Sequence, residues 1–248
     1  MKLTDKNIVI TGASRGLGRE LAKKLSLSRP NLILVARSID ELEIVQKEIP
    51  EQTGKSPLVI KCDVSDENEV KNLTGIIRDK YNHIDILVNN AGIGIHRESE
   101  VIENNEMRKL FEINFYGPYY LIKSLLPLLK QSDAGYILNV GSLVSKVSFP
   151  FNSVYAATKF ALNGFTQGLR LELRKYRIKV GIIHPGLIDT SFQDENFKKS
   201  NPMQSFFVSK PAKVTNSCIR MINNRGKIKY LSKPSLWMMK LKQFMYSN

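Results

Sequence analysis

Cysteine is scarce: Cys62 and Cys218 are the only two in 248 residues, distant in sequence from each other and from the three histidines. That scarcity excludes a disulfide framework and leaves no spacing for a zinc site, so no metal is expected and a reducing compartment fits. Acid is the next shortage. Asp and Glu number 23 against 37 Lys and Arg, for a formal charge of +14. Such a field attracts anions, whether a phosphorylated cofactor, an acidic substrate, nucleic acid or an anionic lipid surface. No nucleic-acid-binding motif accompanies the charge, so a nucleic-acid partner is not expected. Apolar runs of membrane-spanning length are also missing. The start, Met1-Lys2-Leu3-Thr4-Asp5-Lys6, lacks the apolar stretch of a secretory signal; a cytoplasmic location is the expectation. With 42% hydrophobic and 24% charged residues, the chain can bury a large core, which argues against disorder.

What is present is an alternation of strand and helix patterns. Apolar, β-branched runs at Asn7–Thr11, Leu32–Val35, Leu58–Cys62, Ile84–Asn89, Gly135–Ser142, Lys179–His184 and Lys227–Leu231 read as strands. Between them lie helical patterns at Gly16–Leu27, Ser38–Ile49, Glu67–Tyr81, two between Asn104 and Lys130, Ser153–Tyr176 and Pro211–Asn224. Ser38 and Glu41 have the spacing of a capping box. Alternation of this kind predicts an α/β fold: a doubly wound parallel sheet of the Rossmann type, with helices on both faces in three α/β/α layers. One domain over residues 1–248 accommodates it.

In the Ser153–Tyr176 pattern, Tyr155 and Lys159 are four residues apart, so their side chains leave the same helix face one turn from each other. A phenol is a weak acid near neutrality, and an adjacent ammonium favours its ionised form; the pair therefore suits general acid/base chemistry. The same spacing also fits an ordinary helix surface. Ser142 ends the Gly135–Ser142 strand 13 positions before Tyr155 and can direct its hydroxyl toward the same place.

Two further motifs each follow a strand: Thr11-Gly12-Ala13-Ser14-Arg15-Gly16-Leu17-Gly18 and Asn89-Asn90-Ala91-Gly92. Together with Ser142 and Tyr155-x-x-x-Lys159, they make the chain closely resemble the short-chain dehydrogenase/reductase family over almost its whole length. The resemblance implies a dinucleotide at the carboxyl ends of the strands, held at Gly12, Ser14, Arg15, Gly16, Leu17 and Gly18 by the turn and the following helix N-terminus. It likens Asp63 and Val64 to adenine contacts, although Asp63 also suits a plain loop or cap role. Asn90, Ala91 and Gly92 would pass close to the ribose and ring, unless the asparagines only stabilise the turn. Pro185, Gly186, Ile188 and Thr190 resemble the nicotinamide loop, and Tyr155 and Lys159 would also touch the cofactor. Asn114 matches the family's fourth catalytic position, with a water behind the lysine; bridging of backbone groups is the other role, and the two are not exclusive.

The strand tip at Ala36-Arg37 has no acidic residue for a ribose hydroxyl, and Arg37 and Arg15 can converge on a 2′-phosphate, so NADP(H) is expected over NAD(H). The expected activity is reduction of a ketone or aldehyde, or oxidation of an alcohol, with Asn114, Ser142, Tyr155 and Lys159 as the catalytic set. Ser142, Val144, Phe151 and Tyr155 would contact an apolar substrate, with Leu143 and Phe149 in the same wall. His184 is set aside as a catalyst because it lies on a buried strand end. A substrate lid is expected at about 190–209. The basic amphipathic tail at about 233–248 fits packing on the body or on a second subunit, and also peripheral contact with a membrane. The resemblance implies a homodimer or homotetramer. Two rival readings remain at this level: a dinucleotide-binding scaffold without chemistry, and a membrane-surface reductase of a lipidic ketone.

Overall fold

In the computed structural model, residues 2–49, 54–188 and 208–231 are described. Strands β1 (Asn7–Thr11), β2 (Asn31–Ala36), β3 (Leu58–Lys61), β4 (Ile86–Asn89), β5 (Tyr136–Val140) and β6 (Lys179–His184) belong to one sheet. β7 (Leu187–Ile188) and β8 (Val208–Ser209) pair separately, and β9 (Ile228–Tyr230) closes the large sheet. Its order is β3-β2-β1-β4-β5-β6-β9, with every pairing parallel. The chain winds outward from β1 in one direction through β2 and β3, then in the other from β4, as a Rossmann-type sheet does.

The helices are α1 (Gly16–Ser26), α2 (Ile39–Glu48), α3 (Glu67–Lys80), α4 (Asn104–Phe111), α5 (Gly117–Lys130), α6 (Ser153–Glu172) and α7 (Pro211–Asn224). Side chains alternate across each strand, so a parallel sheet needs apolar cover on both faces. Ile8, Ile10, Leu34 and Leu138 pack with Leu21 and Leu25 of α1 and Val214 and Ile222 of α7. Val9, Ile33, Leu87 and Ile137 pack on the other face with Leu73 of α3, Leu125 of α5 and Leu169 of α6. The three-layer expectation holds.

Boundaries shift by a few residues, and two local features differ from the sequence reading. The two helical patterns between Asn104 and Lys130 are joined without a loop by a π-helical turn, Glu112–Tyr116. The α6 pattern ends at Glu172 and tightens into a 3₁₀ turn, Leu173–Tyr176, before Arg177 reverses the chain at φ 59°. The capping interaction at α2 forms as its spacing implied, with Ser38 Oγ accepting from the Glu41 N–H at 3.2 Å. Thr190, most of the expected lid and the tail at 233–248 lie outside the described residues. No described helix is long and apolar enough to cross a membrane.

Candidate active site

The winding of the sheet reverses between β1 and β4, and the loops after these strands meet there. Thr11 is buried, and its Oγ1 accepts the N–H groups of Asn90 and Ala91 at 3.0 and 3.1 Å. The Asn90 amide donates to the Thr11 and Gly12 carbonyls at 2.9 and 3.1 Å. Its Nδ2 is thus spent on the turn, the alternative left open above. Gly12, at φ 62°, could not carry a side chain: a Cβ would fall 2.9 Å from the Ala91 Cα. A Cβ on Gly18 would fall 2.1 Å from the Gly12 carbonyl oxygen. The glycines therefore let helix, turn and β4 loop close on one another.

These features suit an anionic dinucleotide. The N-terminus of α1 has no side-chain cap and no acidic residue in its first turn, so its amides and dipole remain available to an anion. Arg15, immediately before it, and Arg37, just past β2, are exposed and form no ion pair among the described residues. Asp63 is committed to its own loop: its Oδ1 accepts from Ser65 N and Oγ at 3.0 and 2.6 Å. Val64 is buried against Gly117, whose Cβ would meet it at 2.9 Å.

Deeper in the same cleft, α6 buries both residues of its tyrosine–lysine pair. Tyr155 is 7% exposed and Lys159 is 5% exposed. Ser142, at the N-cap of a 3₁₀ turn after β5, hydrogen-bonds Tyr155. Lys159 Nζ donates to the Val140 carbonyl at 3.3 Å. The phenol, serine hydroxyl and ammonium therefore share one site. A Cβ on Gly92 would come 3.0 Å from Asn114 Oδ1 and 3.5 Å from Lys159 Nζ, so any larger residue would fill the space before the lysine.

The π-helical turn sets Asn114 in this cleft, fully buried. Its Oδ1 accepts from Ile93 N–H at 2.9 Å, and its Nδ2 donates to the Ile93 carbonyl at 2.9 Å and to Thr158 Oγ1 at 3.1 Å. Thr158 in turn donates to the Tyr155 carbonyl at 2.8 Å. The asparagine thus bridges backbone groups, a role that does not exclude the other one expected of it.

Burial weighs on both titrations in this site. Burial pushes the Tyr155 phenol up to about 12, with the Ser142 hydrogen bond pulling the other way. Burial likewise pushes Lys159 down to about 8. Desolvation opposes both charged forms. What results is a neutral phenol, which is the proton-donating form.

Val144 is half-buried beside Ser142. Phe151 sits at φ 65° in the turn before α6 and is 43% exposed. Pro185 is buried, and its carbonyl accepts from Leu143 N–H at 2.8 Å, tying the expected nicotinamide loop to the Ser142 turn. Sequence reasoning passed over His96 and Asn152. The His96 ring meets the Tyr155 ring edge-on with centroids 5.6 Å apart, and its Nδ1 lies 2.7 Å from Asn152 Oδ1. The only signal in the sequence was their nearness to Gly92 and Tyr155, which carries little weight without the fold.

The family model of short chain dehydrogenases matches residues 6–201. This chain belongs to that family. Among its curated relatives, "Dehydrogenase/reductase SDR family member 7B" of Mus musculus is 36% identical over 188 residues, covering 74% of this chain and 58% of that protein. The chain thus spans less than two thirds of that relative's length. The "NADP-dependent 3-hydroxy acid dehydrogenase" of Schizosaccharomyces pombe is 32% identical over 215 residues, covering 82% of this chain and 83% of that protein. A solved short chain dehydrogenase from Shigella flexneri, complexed with NADP, has a TM-score of 0.84 at 28% identity over 92% of this chain and 97% of that one. In this short-chain dehydrogenase, then, the glycine loop and the Ser142–Tyr155–Lys159 cluster lie on the sheet and helices that such relatives share.

Proposed function

We propose that the protein is an NADP(H)-dependent oxidoreductase that interconverts a ketone or aldehyde and an alcohol. One observation carries the reading: Ser142 is hydrogen-bonded to a buried, neutral Tyr155, with buried Lys159 one helical turn away. A structure that only bound a nucleotide would have no use for such a proton donor in its interior.

Gly12, Ser14, Arg15, Gly16, Leu17 and Gly18 would hold the pyrophosphate end, and Asn90, Ala91 and Gly92 the ribose side. NADPH supplies the hydride. Ser142 and Tyr155 bind the substrate oxygen, and their hydroxyl donors stabilise the negative charge that grows there. The phenol proton moves to that oxygen, which becomes the alcohol hydroxyl. Lys159, poised near 8 by its burial, then restores the proton to Tyr155. Oxidation of an alcohol reverses these transfers. Arg15 and Arg37 support NADP(H) over NAD(H), as do the relative named NADP-dependent and the NADP-complexed neighbour.

The experiment is NADPH consumption with a panel of ketones, aldehydes and β-keto acids, the last included because one relative is named for 3-hydroxy acids. Tyr155→Phe is expected to lower kcat by about 10²- to 10⁴-fold with NADPH affinity retained. Undiminished turnover in that variant would overturn the role given to Tyr155.

A further inference from the structure

His184 closes β6 and is fully buried, yet it takes no part in the proton chemistry above. Its Nδ1 lies 3.0 Å from the Ser142 carbonyl oxygen and 2.7 Å from Ser145 Oγ. Ser145 Oγ donates to the same carbonyl at 2.5 Å. A carbonyl oxygen only accepts, and the serine proton is already directed at it. The ring nitrogen facing both atoms must therefore carry a hydrogen. Burial pushes the ring down to about 4 and so keeps it neutral; the tautomer is then Nδ1–H, and Nε2 is a bare lone pair with no partner among the described residues. The ring is held from two sides: it stacks on Tyr230 at 4.8 Å and 11°, and a Cβ on Gly141 would meet its Nδ1 at 3.0 Å.

We infer that His184 is a positioning residue for Ser142, clamping that residue's carbonyl so that the serine hydroxyl faces Tyr155. The two side-chain donors, with the Ser145 N–H at 3.1 Å, make three on one carbonyl and fix the peptide leaving Ser142, and with it the direction in which the Ser142 side chain points. The 3₁₀ turn Leu143–Ser145 starts at this carbonyl and is closed by the backbone bonds Ser145 N–H to Ser142 and Lys146 N–H to Leu143, both 3.1 Å. Because Leu143 N–H donates to the Pro185 carbonyl, the histidine ties the serine turn to the loop expected to meet the nicotinamide. The inference rests on the reductase reading for its kinetic consequence, but not for its geometry.

Three variants test it in the full chain. His184→Asn returns an amide N–H at the Nδ1 position, His184→Gln places its amide near Nε2, and His184→Leu supplies neither. Expected is a kcat within about threefold of wild type for Asn, and roughly 10- to 100-fold lower for Gln and Leu, with NADPH affinity unchanged. Equal losses in Asn and Gln, or losses that merely follow the thermal midpoints of the variants, would overturn the inference. Nitrogen-15 spectra of the labelled histidines, with His184 assigned by its disappearance in the Asn variant, give a readout that needs no turnover. An Nδ1–H signal supports the clamp, and an Nε2–H signal rejects it. Absence of wild-type turnover on the whole panel would sink the reductase reading instead, and the tautomer alone would then decide the clamp.

Discussion

Lys159 Nζ lies 5.8 Å from the centre of the Tyr155 ring, one turn along α6, and both side chains are buried. The lysine therefore costs the fold stability as long as it is charged. Burial depresses it from 10.5 to about 8, which corresponds to about 3 kcal/mol. Between those two values the unfolded chain binds more protons than the folded one, so stability rises with pH across that window. Lys159→Met is expected to abolish turnover while stabilising the fold by up to about 3 kcal/mol below pH 8, less the lost bond to Val140. The gain should fade as pH rises from 8 to 10.5. Urea denaturation of both proteins at three pH values checks this, and a variant less stable than wild type at pH 7 would contradict it.

The Lys159 case also marks what the sequence could carry. Four-residue spacing put Tyr155 and Lys159 on one face, and the strand runs located β1 and β6 at the residues where they occur. Spacing does not say how much water a face loses, so the part that burial plays in both titrations was out of reach. Nor does it name partners distant along the chain. The Asn114 amide is bonded to Ile93, 21 residues away, from a π-helical turn that the two helical patterns between Asn104 and Lys130 did not reveal. The histidines show the same gap: His184 was read correctly as buried, but its hold on Ser142, 42 residues earlier, depends on β5 and β6 lying side by side.

Cofactor choice should rest on the exposed arginines. Replacing Arg37 by Asp removes a cation from the tip of β2 and supplies a carboxylate to which a ribose hydroxyl would donate. NADPH affinity is expected to fall roughly 10- to 100-fold, the range of one charge-assisted hydrogen bond, while NADH affinity holds or improves. Titration of both nucleotides by fluorescence distinguishes the outcomes. Equal losses for NADPH and NADH would remove Arg37 from the 2′-phosphate.

Gly18 tests the packing of the nucleotide loop. Glycine to alanine inside a helix ordinarily gains up to about 1 kcal/mol, but here the new methyl would lie 2.1 Å from the Gly12 carbonyl oxygen and 2.7 Å from Asn90 Nδ2. Backbone cannot give way as the end of a flexible side chain can. Gly18→Ala is therefore expected to destabilise by about 1–3 kcal/mol and to weaken NADPH binding with it, measured by thermal denaturation with and without nucleotide.

Asp85 lies at the opposite end of the sheet, where its effects can be separated from chemistry. It is 1% exposed and accepts from Asn7 N–H at 2.9 Å, Ser132 Oγ at 2.7 Å and Lys6 Nζ at 3.0 Å, with His83 Nε2 3.2 Å away. It thus joins the start of β1 to the approach to β4. Burial by itself would raise its carboxyl, but the hydrogen bonds from Ser132, Asn7 and Lys6 and the Lys6 charge outweigh it and hold the group below its ordinary value. A lowered carboxylate contributes stability that is full above the unfolded value, near 3.8, and is lost as pH falls through the lower folded value. Asp85→Asn keeps the shape but turns an amide toward one of the donors. It should cost on the order of 3 kcal/mol at pH 7, with the gap to wild type narrowing below about pH 4 as the native carboxyl protonates. Since the sheet's carboxyl end is untouched, kcat of the folded variant at pH 7 should match wild type. Chemical denaturation from pH 3 to 7 beside steady-state kinetics reads both, and a variant that lost kcat but kept its stability would mean that Asp85 serves the site rather than the sheet.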